Sequence, residues 1–234
     1  NDPIDANKPD RLNRITAGTF ELGSVFKSFT FAMALDSGKV KMTDSFDARS
    51  PIRVGRQLIH DSHPEGRFLT VPEIFRYSSN IGTAKMALAI GQETQQDYLK
   101  KFGLSTKLKT ELPEVATPQV PRRWSTAAQM TVAFGHGIAI TPMQAAMGDV
   151  ALVNGGNFLS PTFFPRTQEQ ALAEATPMVS KKTSDEMRWL FRYNAVNGSG
   201  RHADVPGYVV GGKTGTAEKI ANGRYVEGHY LNSF

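Results

Sequence analysis

The chain has no cysteine, so neither a disulfide framework nor a thiolate metal site is open to it. Its compartment stays undetermined by that absence, because exported and cytosolic chains both do without cysteine. No apolar stretch approaches the ~18 residues of a membrane span, and no charged-then-apolar leader opens the sequence, so the fragment is expected to be soluble. The net charge of +5 comes from scattered lysines and arginines, with no basic block interleaved with aromatics. Those charges read as solvated surface, and nucleic acid is not expected as a partner. Repeats and low-complexity segments are also missing, which excludes solenoids and linkers.

What is present is ordinary globular usage: 234 residues, 40% of them apolar and 21% charged. That length carries one core, and residues 1–234 read as a single domain. The sequence opens in the polar stretch NDPIDANKPD without an initiating methionine, as expected of a piece of a longer protein.

The pattern is helix-rich with a β element near the end. Residues 25–35 (VFKSFTFAMAL) are apolar on nearly every face, as in a core helix, and Gly38 ends it. Thr70-Val-Pro-Glu73 is a capping box with proline in the first turn, opening a helix to about Tyr77; helices at 80–90 and 93–102 follow, the second closed by Gly103. Thr141-Pro-Met-Gln144 repeats the box for a helix to about Leu152, and Thr183-Ser-Asp-Glu186 opens one to about Ala195, stopped by Asn197-Gly198. One short strand fits within 155–164. Residues 207–220 are strand-like, and after a turn at 221–224 residues 225–234 supply the hairpin partner. The whole is an α+β fold with helices packed on an antiparallel sheet. A two-stranded hairpin is a small sheet, so further strands are expected beyond both ends.

Three short motifs carry chemistry. Ser24-Val-Phe-Lys27 puts a hydroxyl and an amine on one face of a helix start. A serine needs an adjacent base, and a buried lysine beside another positive charge is neutral enough to be one. Taken alone the pair reads equally as a helix cap followed by a lysine, since S-x-x-K arises about once by chance in a chain of this size. Ser78-Ser79-Asn80 falls in the break between two helices, and Lys213-Thr214-Gly215 lies on the terminal strand after Gly211-Gly212, where a bare backbone edge can take an extended peptide. The order S-x-x-K, S-x-N, K-T-G, in helix-start and strand contexts, turns the cap reading into a nucleophile reading.

With these motifs the chain resembles the penicillin-recognising serine transferases and hydrolases, whose β-lactamase-like fold it is then expected to share. The segments AGTFELGSVFK, LTVPEIFRYSSNIGTAKMA, AFGHGIAITPMQAA and VVGGKTGTAEK are most similar to the transpeptidase domain of a class B penicillin-binding protein, and within that class to the division-specific, septal enzyme. The resemblance implies roles. Ser24 is the acylated nucleophile and Lys27 its general base; Ser78 relays a proton to the leaving amine, and Asn80 holds Lys27 and the substrate amide. Lys213 and Thr214 engage the substrate carboxylate, Gly215 leaves space, and the N–H groups of Thr216 and Ser24 form the oxyanion hole. It further implies stem peptides and β-lactams as ligands and no cofactor or metal. In the parent protein it implies an inner-membrane anchor, a periplasmic active site and division-complex partners including a glycosyltransferase.

Two alternatives stand beside this. A D,D-carboxypeptidase or β-lactamase would resolve the acyl-enzyme with water, but the middle motif is Ser-Ser-Asn rather than Ser-Asp-Asn. The nearest candidate for a water-activating glutamate, Glu111-Leu-Pro-Glu114-Val, also lacks the following asparagine. A non-catalytic β-lactam sensor or division scaffold would keep the fold and not turn over. Other conspicuous residues have plainer readings: His60-Asp-Ser-His63 as solvated surface rather than a metal pair, His136 as packing in a tight glycine turn, Trp124, Trp189, Phe26 and Phe29 as core, Glu73 as a cap and Asp185 as a first-turn charge.

Overall fold

A computed structural model describes residues 11–55, 57–221 and 224–234. The polar opening stretch and residues 222–223 of the expected turn lie outside the described residues. A 3-10 turn, Gly23–Phe26, runs directly into α1 (Lys27–Asp36). The expected helix at 25–35 thus begins as a tighter coil. Phe29, Phe31, Met33 and Ala34 of α1 are fully buried, as its all-round apolarity requires. Each buried Phe or Met of this kind contributes about 1.5–3 kcal/mol.

Short strands β1 (Ser45–Asp47), β2 (Ile52–Val54), β3 (Gln57–Ile59) and β4 (Phe68–Thr70) follow, paired antiparallel as β1 with β4 and β2 with β3. α2 (Val71–Tyr77) starts at the Thr70 capping box, where the Glu73 carboxylate accepts from the Thr70 N–H at 2.9 Å. α3 (Asn80–Ile90) packs across α1 and α5 (Thr126–Ala133), with α4 (Gln92–Lys101) alongside. α6 (Pro142–Val153) begins at the second box, Thr141 Oγ1 accepting from the Gln144 N–H at 3.1 Å. Residues 157–177 hold β5 (Asn157–Phe158), α7 (Gln168–Ala173) and β6 (Thr176–Pro177), with β5 and β6 paired antiparallel. α8 (Lys181–Asn197) closes the helical layer against α1, α2 and α6. β7 (Gly215–Ala221) and β8 (Arg224–Ser233) then form an antiparallel hairpin whose register is broken between Glu218 and Ile220. The architecture is α+β: a helical core with small antiparallel sheets at its margin.

Three expectations are corrected. The helix expected to open at the Thr183 box opens earlier, at Ser180, whose hydroxyl accepts from the Thr183 N–H at 3.1 Å. Asp36 decides this from the end of α1: its Oδ1 accepts from the Ser180 N–H at 2.7 Å and from Thr183 Oγ1 at 3.0 Å. Trp189 is not core but 50% exposed on the outer face of α8, stacked on Tyr193 at 5.0 Å. The strand expected from 207 starts only at Gly215. The preceding Gly211 and Gly212 run close against Phe191 and Phe234 instead, and the Gly212 carbonyl accepts from Asn194 Nδ2 at 2.9 Å.

Candidate active site

Ser24 sits in the 3-10 turn, and the Lys27 N–H donates to the Ser24 carbonyl. In such a turn residues three apart stack over one another, so the two side chains share one edge. The turn is fixed by glycine on both sides. Gly23 has φ +53°, and a Cβ on it would overlap the Thr216 carbonyl. One on Gly135, at φ +87°, would overlap the Gly23 carbonyl. A Cβ on Gly215 would come within 2.5 Å of the Leu22 carbonyl oxygen. The nucleophile turn is therefore clamped, backbone against backbone, between β7 and the loop after α5. Ser24 Oγ is half-buried and has no hydrogen-bond partner among the described residues.

Lys27 is fully buried, and its Nζ reaches the break between α2 and α3. There it lies 3.1 Å from Ser78 Oγ and also donates to the Ser78 carbonyl. Lys213, 2% exposed, approaches from β7's entry and donates to the same Ser78 Oγ at 2.9 Å and to the Thr214 carbonyl at 2.9 Å. One hydroxyl thus joins two buried amines. Ser78 is the only described non-glycine residue with positive φ, at φ 55° and ψ 39°, because a left-handed residue ends α2 and turns the hydroxyl inward.

Two buried amines this close cannot both be charged. Burial first, then the charge of Lys213, holds Lys27 well below the ordinary lysine range, against the opposing pull of Asp61. Burial brings Lys213 down to about 7. The resulting state near neutrality is a neutral Lys27 beside a Lys213 poised to hold a proton, as an amine base requires.

The other predicted residues are placed as follows. Thr214 Oγ1 donates to Ser199 Oγ at 2.6 Å, Gly215 opens β7, and Thr216 is exposed on that strand, 3.3 Å from Asn232 Oδ1. Asn80 does not hold Lys27: its Nδ2 donates to the His60 carbonyl at 3.0 Å, and among the described residues Ser78 alone accepts from the lysine amine. His136 lines a cavity shared with Asn80 and Glu218 rather than serving packing alone. Among the described residues no group of three or more His, Asp or Glu is arranged to hold a metal ion.

Two positioning residues escaped the sequence. Asp61, buried inside the His60–His63 segment read as surface, accepts from Ser79 Oγ at 2.7 Å and from the Ile81 N–H at 3.0 Å, pinning the start of α3 and hence Ser78. Asn194, fully buried in α8, holds Gly212 and accepts from the Ser199 N–H at 3.1 Å, so one side chain aligns the approach to Lys213 and the partner of Thr214. Neither lies in a motif, and the sequence signal for both is weak: a lone polar residue in an otherwise unremarkable segment.

The whole chain, residues 1–234, matches the family described as penicillin binding protein transpeptidase domain. The chain belongs to that family. This transpeptidase domain is 41% identical over 241 residues to the probable peptidoglycan D,D-transpeptidase FtsI of Caulobacter vibrioides, covering 98% of this chain and 41% of that protein. It is 34% identical over 238 residues to the probable peptidoglycan D,D-transpeptidase PenA of Neisseria flavescens, covering 100% of this chain and 58% of that one. The domain therefore spans roughly half of these curated relatives. Among solved structures, the apo transpeptidase domain of Burkholderia pseudomallei penicillin-binding protein 3 superposes with a TM-score of 0.86 at 29% identity, over 94% of this chain and 67% of that one. No helix among the described residues is long and apolar enough to cross a membrane.

Proposed function

We propose that this domain is a serine acyltransferase, a peptidoglycan D,D-transpeptidase working in septal wall synthesis. The observation that carries the reading is that Lys27, one turn along from Ser24, converges with Lys213 on the single hydroxyl of Ser78. Neutral Lys27 takes the Ser24 proton as Oγ attacks the penultimate D-alanine carbonyl of a stem peptide ending in D-Ala-D-Ala. The oxyanion forms between the N–H groups of Ser24 and Thr216; the close approach of Gly23 to the Thr216 carbonyl supports this by bringing the two segments together. Collapse breaks the peptide bond, and the proton passes from Lys27 through Ser78 to the departing D-alanine amine. An acceptor amine then attacks the acyl-enzyme, returning its proton by the same path and Ser24 Oγ to the hydroxyl state. Lys213 and Thr214 receive the donor carboxylate. A β-lactam follows the first half-reaction, but its leaving group stays tethered.

Transfer is favoured over hydrolysis by the position of the two glutamates considered for water activation. Glu111 is bound to Thr162 Oγ1 and accepts from the Phe163 N–H at 3.3 Å, and Glu114 accepts from Asn13 Nδ2 at 3.3 Å. Neither carboxylate joins the lysine cluster. In the parent protein the domain faces the periplasm from an inner-membrane anchor and works with division-complex partners that include a glycosyltransferase.

The test is to incubate the chain with benzylpenicillin, digest it and locate the adduct by mass spectrometry. A stable acyl group on Ser24, absent from Ser24→Ala and Lys27→Ala, is expected. Rapid release of opened drug would assign a hydrolase instead, and the lack of an adduct on a folded chain would overturn the reading.

A further inference from the structure

The lysine end of the cleft favours anions; the end beyond Asn80 is built the other way. A cavity of about 390 Å³ opens there between β3, the loop after α5 and the edge of β7. Its walls are apolar, with Leu58 and Ile59 on one side and Phe134 on another. Its polar lining comes from His60, Asn80, Thr131, His136 and Glu218. Among the described lining residues Glu218 is the only acid, and there is no lysine or arginine.

Glu218 follows Thr216 by two along β7, and strand alternation puts both on one face. Burial agrees: Thr216 is exposed, Ala217 buried and Glu218 half-buried. The register break after Glu218 bends the strand where that side chain meets the cavity. A second carboxylate, Glu21, accepts from the Gly137 N–H at 2.8 Å at the rim. His136 stands edge-on to Phe134 with ring centroids 5.4 Å apart. Burial holds its imidazole below the ordinary histidine value despite Glu21 and Glu218, so near neutrality it adds no positive charge. Apolar walls with acid at one end suit methylenes that end in a cation.

We propose that this cavity is a subsite for a primary ammonium on an aliphatic chain of a stem peptide, with Glu218 as its counter-ion and Leu58, Ile59 and Phe134 around its methylenes. The proposal rests on the transpeptidase reading. Two stem peptides meet in that reaction, and either one supplies the group: the donor, lying along β7 away from Lys213, or the acceptor, whose ammonium docks there, releases one proton to solvent and then attacks the acyl carbonyl as the free amine.

The test compares the chain with its Glu218→Gln and Glu218→Lys variants. Benzylpenicillin, which has no aliphatic ammonium, should acylate Ser24 at equal rates in all three, which also shows that the variants fold. In the donor arm, two depsipeptides differ only in a free or N-acetylated aliphatic amine upstream of D-alanine. In the acceptor arm, the acyl-enzyme partitions between water and a lysine-type amine. Loss of a charge-assisted contact predicts a change of about tenfold in one arm for Glu218→Gln, and more for Glu218→Lys. The arm that responds identifies the source. Unchanged donor preference and unchanged partition, with normal penicillin acylation, would overturn this proposal alone. A parent chain that no penicillin acylates would overturn the transpeptidase reading and this subsite with it.

Discussion

Replacing Ser78 by glycine and by alanine separates two demands that meet at one residue. Ser78 is held at φ 55°, a conformation that costs an L-residue roughly 1–2 kcal/mol and glycine almost nothing. Its hydroxyl also accepts from Lys213 at 2.9 Å and lies 3.1 Å from Lys27. Either variant removes those contacts, but Lys27 keeps the carbonyl of residue 78 and Lys213 keeps that of Thr214. The loss is therefore about 1–3 kcal/mol rather than that of two stranded amines. Ser78→Ala should carry all of it, whereas Ser78→Gly recovers about 1 kcal/mol from the relaxed backbone, a difference of about 2–4 °C in Tm for a chain of this size. Acylation by benzylpenicillin, followed by stopped-flow fluorescence or intact mass, should fall by about 10²–10⁴ in both, the usual size of a lost proton relay. An alanine variant as stable as the glycine variant would refute the strain argument. Acylation close to that of the parent would remove Ser78 from the proton path.

Four further outcomes follow from the same geometry. The acylation rate of the free enzyme should decline as pH rises through about 7, where Lys213 loses its proton, and Lys213→Arg should move that decline to higher pH; a flat profile to pH 9 would contradict it. The depressed Lys213 has the opposite effect on stability: the folded chain binds fewer protons than the unfolded one between about pH 7 and 10, so its contribution to stability rises with pH across that window. Asp61→Asn keeps the size of the side chain but weakens the contacts to Ser79 and Ile81, so acylation should fall about tenfold with little change in Tm, and Asp61→Glu should restore part of the rate. Asp149 is half-buried as a residue, yet its Oδ1 has no partner and burial pushes the carboxyl up to about 7. The folded state therefore loses stability between about pH 4 and 7, and Asp149→Asn should raise Tm at pH 8 by more than at pH 5, with a gain of about 2 kcal/mol once partial solvent access is discounted.

The elements that local chemistry determines were legible in the sequence. The Thr70 and Thr141 boxes name their own helices, because cap and partner lie three residues apart. The all-apolar run around Phe29 and Phe31 announces a buried helix in the same way. What the sequence concealed was decided at a distance. Ser180 and Thr183 are equal candidates to cap α8 until Asp36, from the end of α1, chooses between them. Trp189 has the composition of a core residue, but its turn of α8 faces outward and it stacks on Tyr193 instead. The short strand expected within 155–164 is β5, whereas the helix α5 and the two-residue strand β6 are too short for periodicity to mark them. Within the site, Ser24, Lys27, Ser78 and Lys213 were readable as motif members, while Asp61 and Asn194 act through neighbours far away in sequence and leave no pattern.

The contacts at Gly135, Gly23 and Thr216 place backbone on backbone through three layers, with no side chain between them to change rotamer. Such a stack has no soft element, so a displacement of the terminal strand reaches the serine undamped. A substitution that shifts β7 therefore shifts the aim of Ser24 with it, and no rotamer change between the two can absorb the movement.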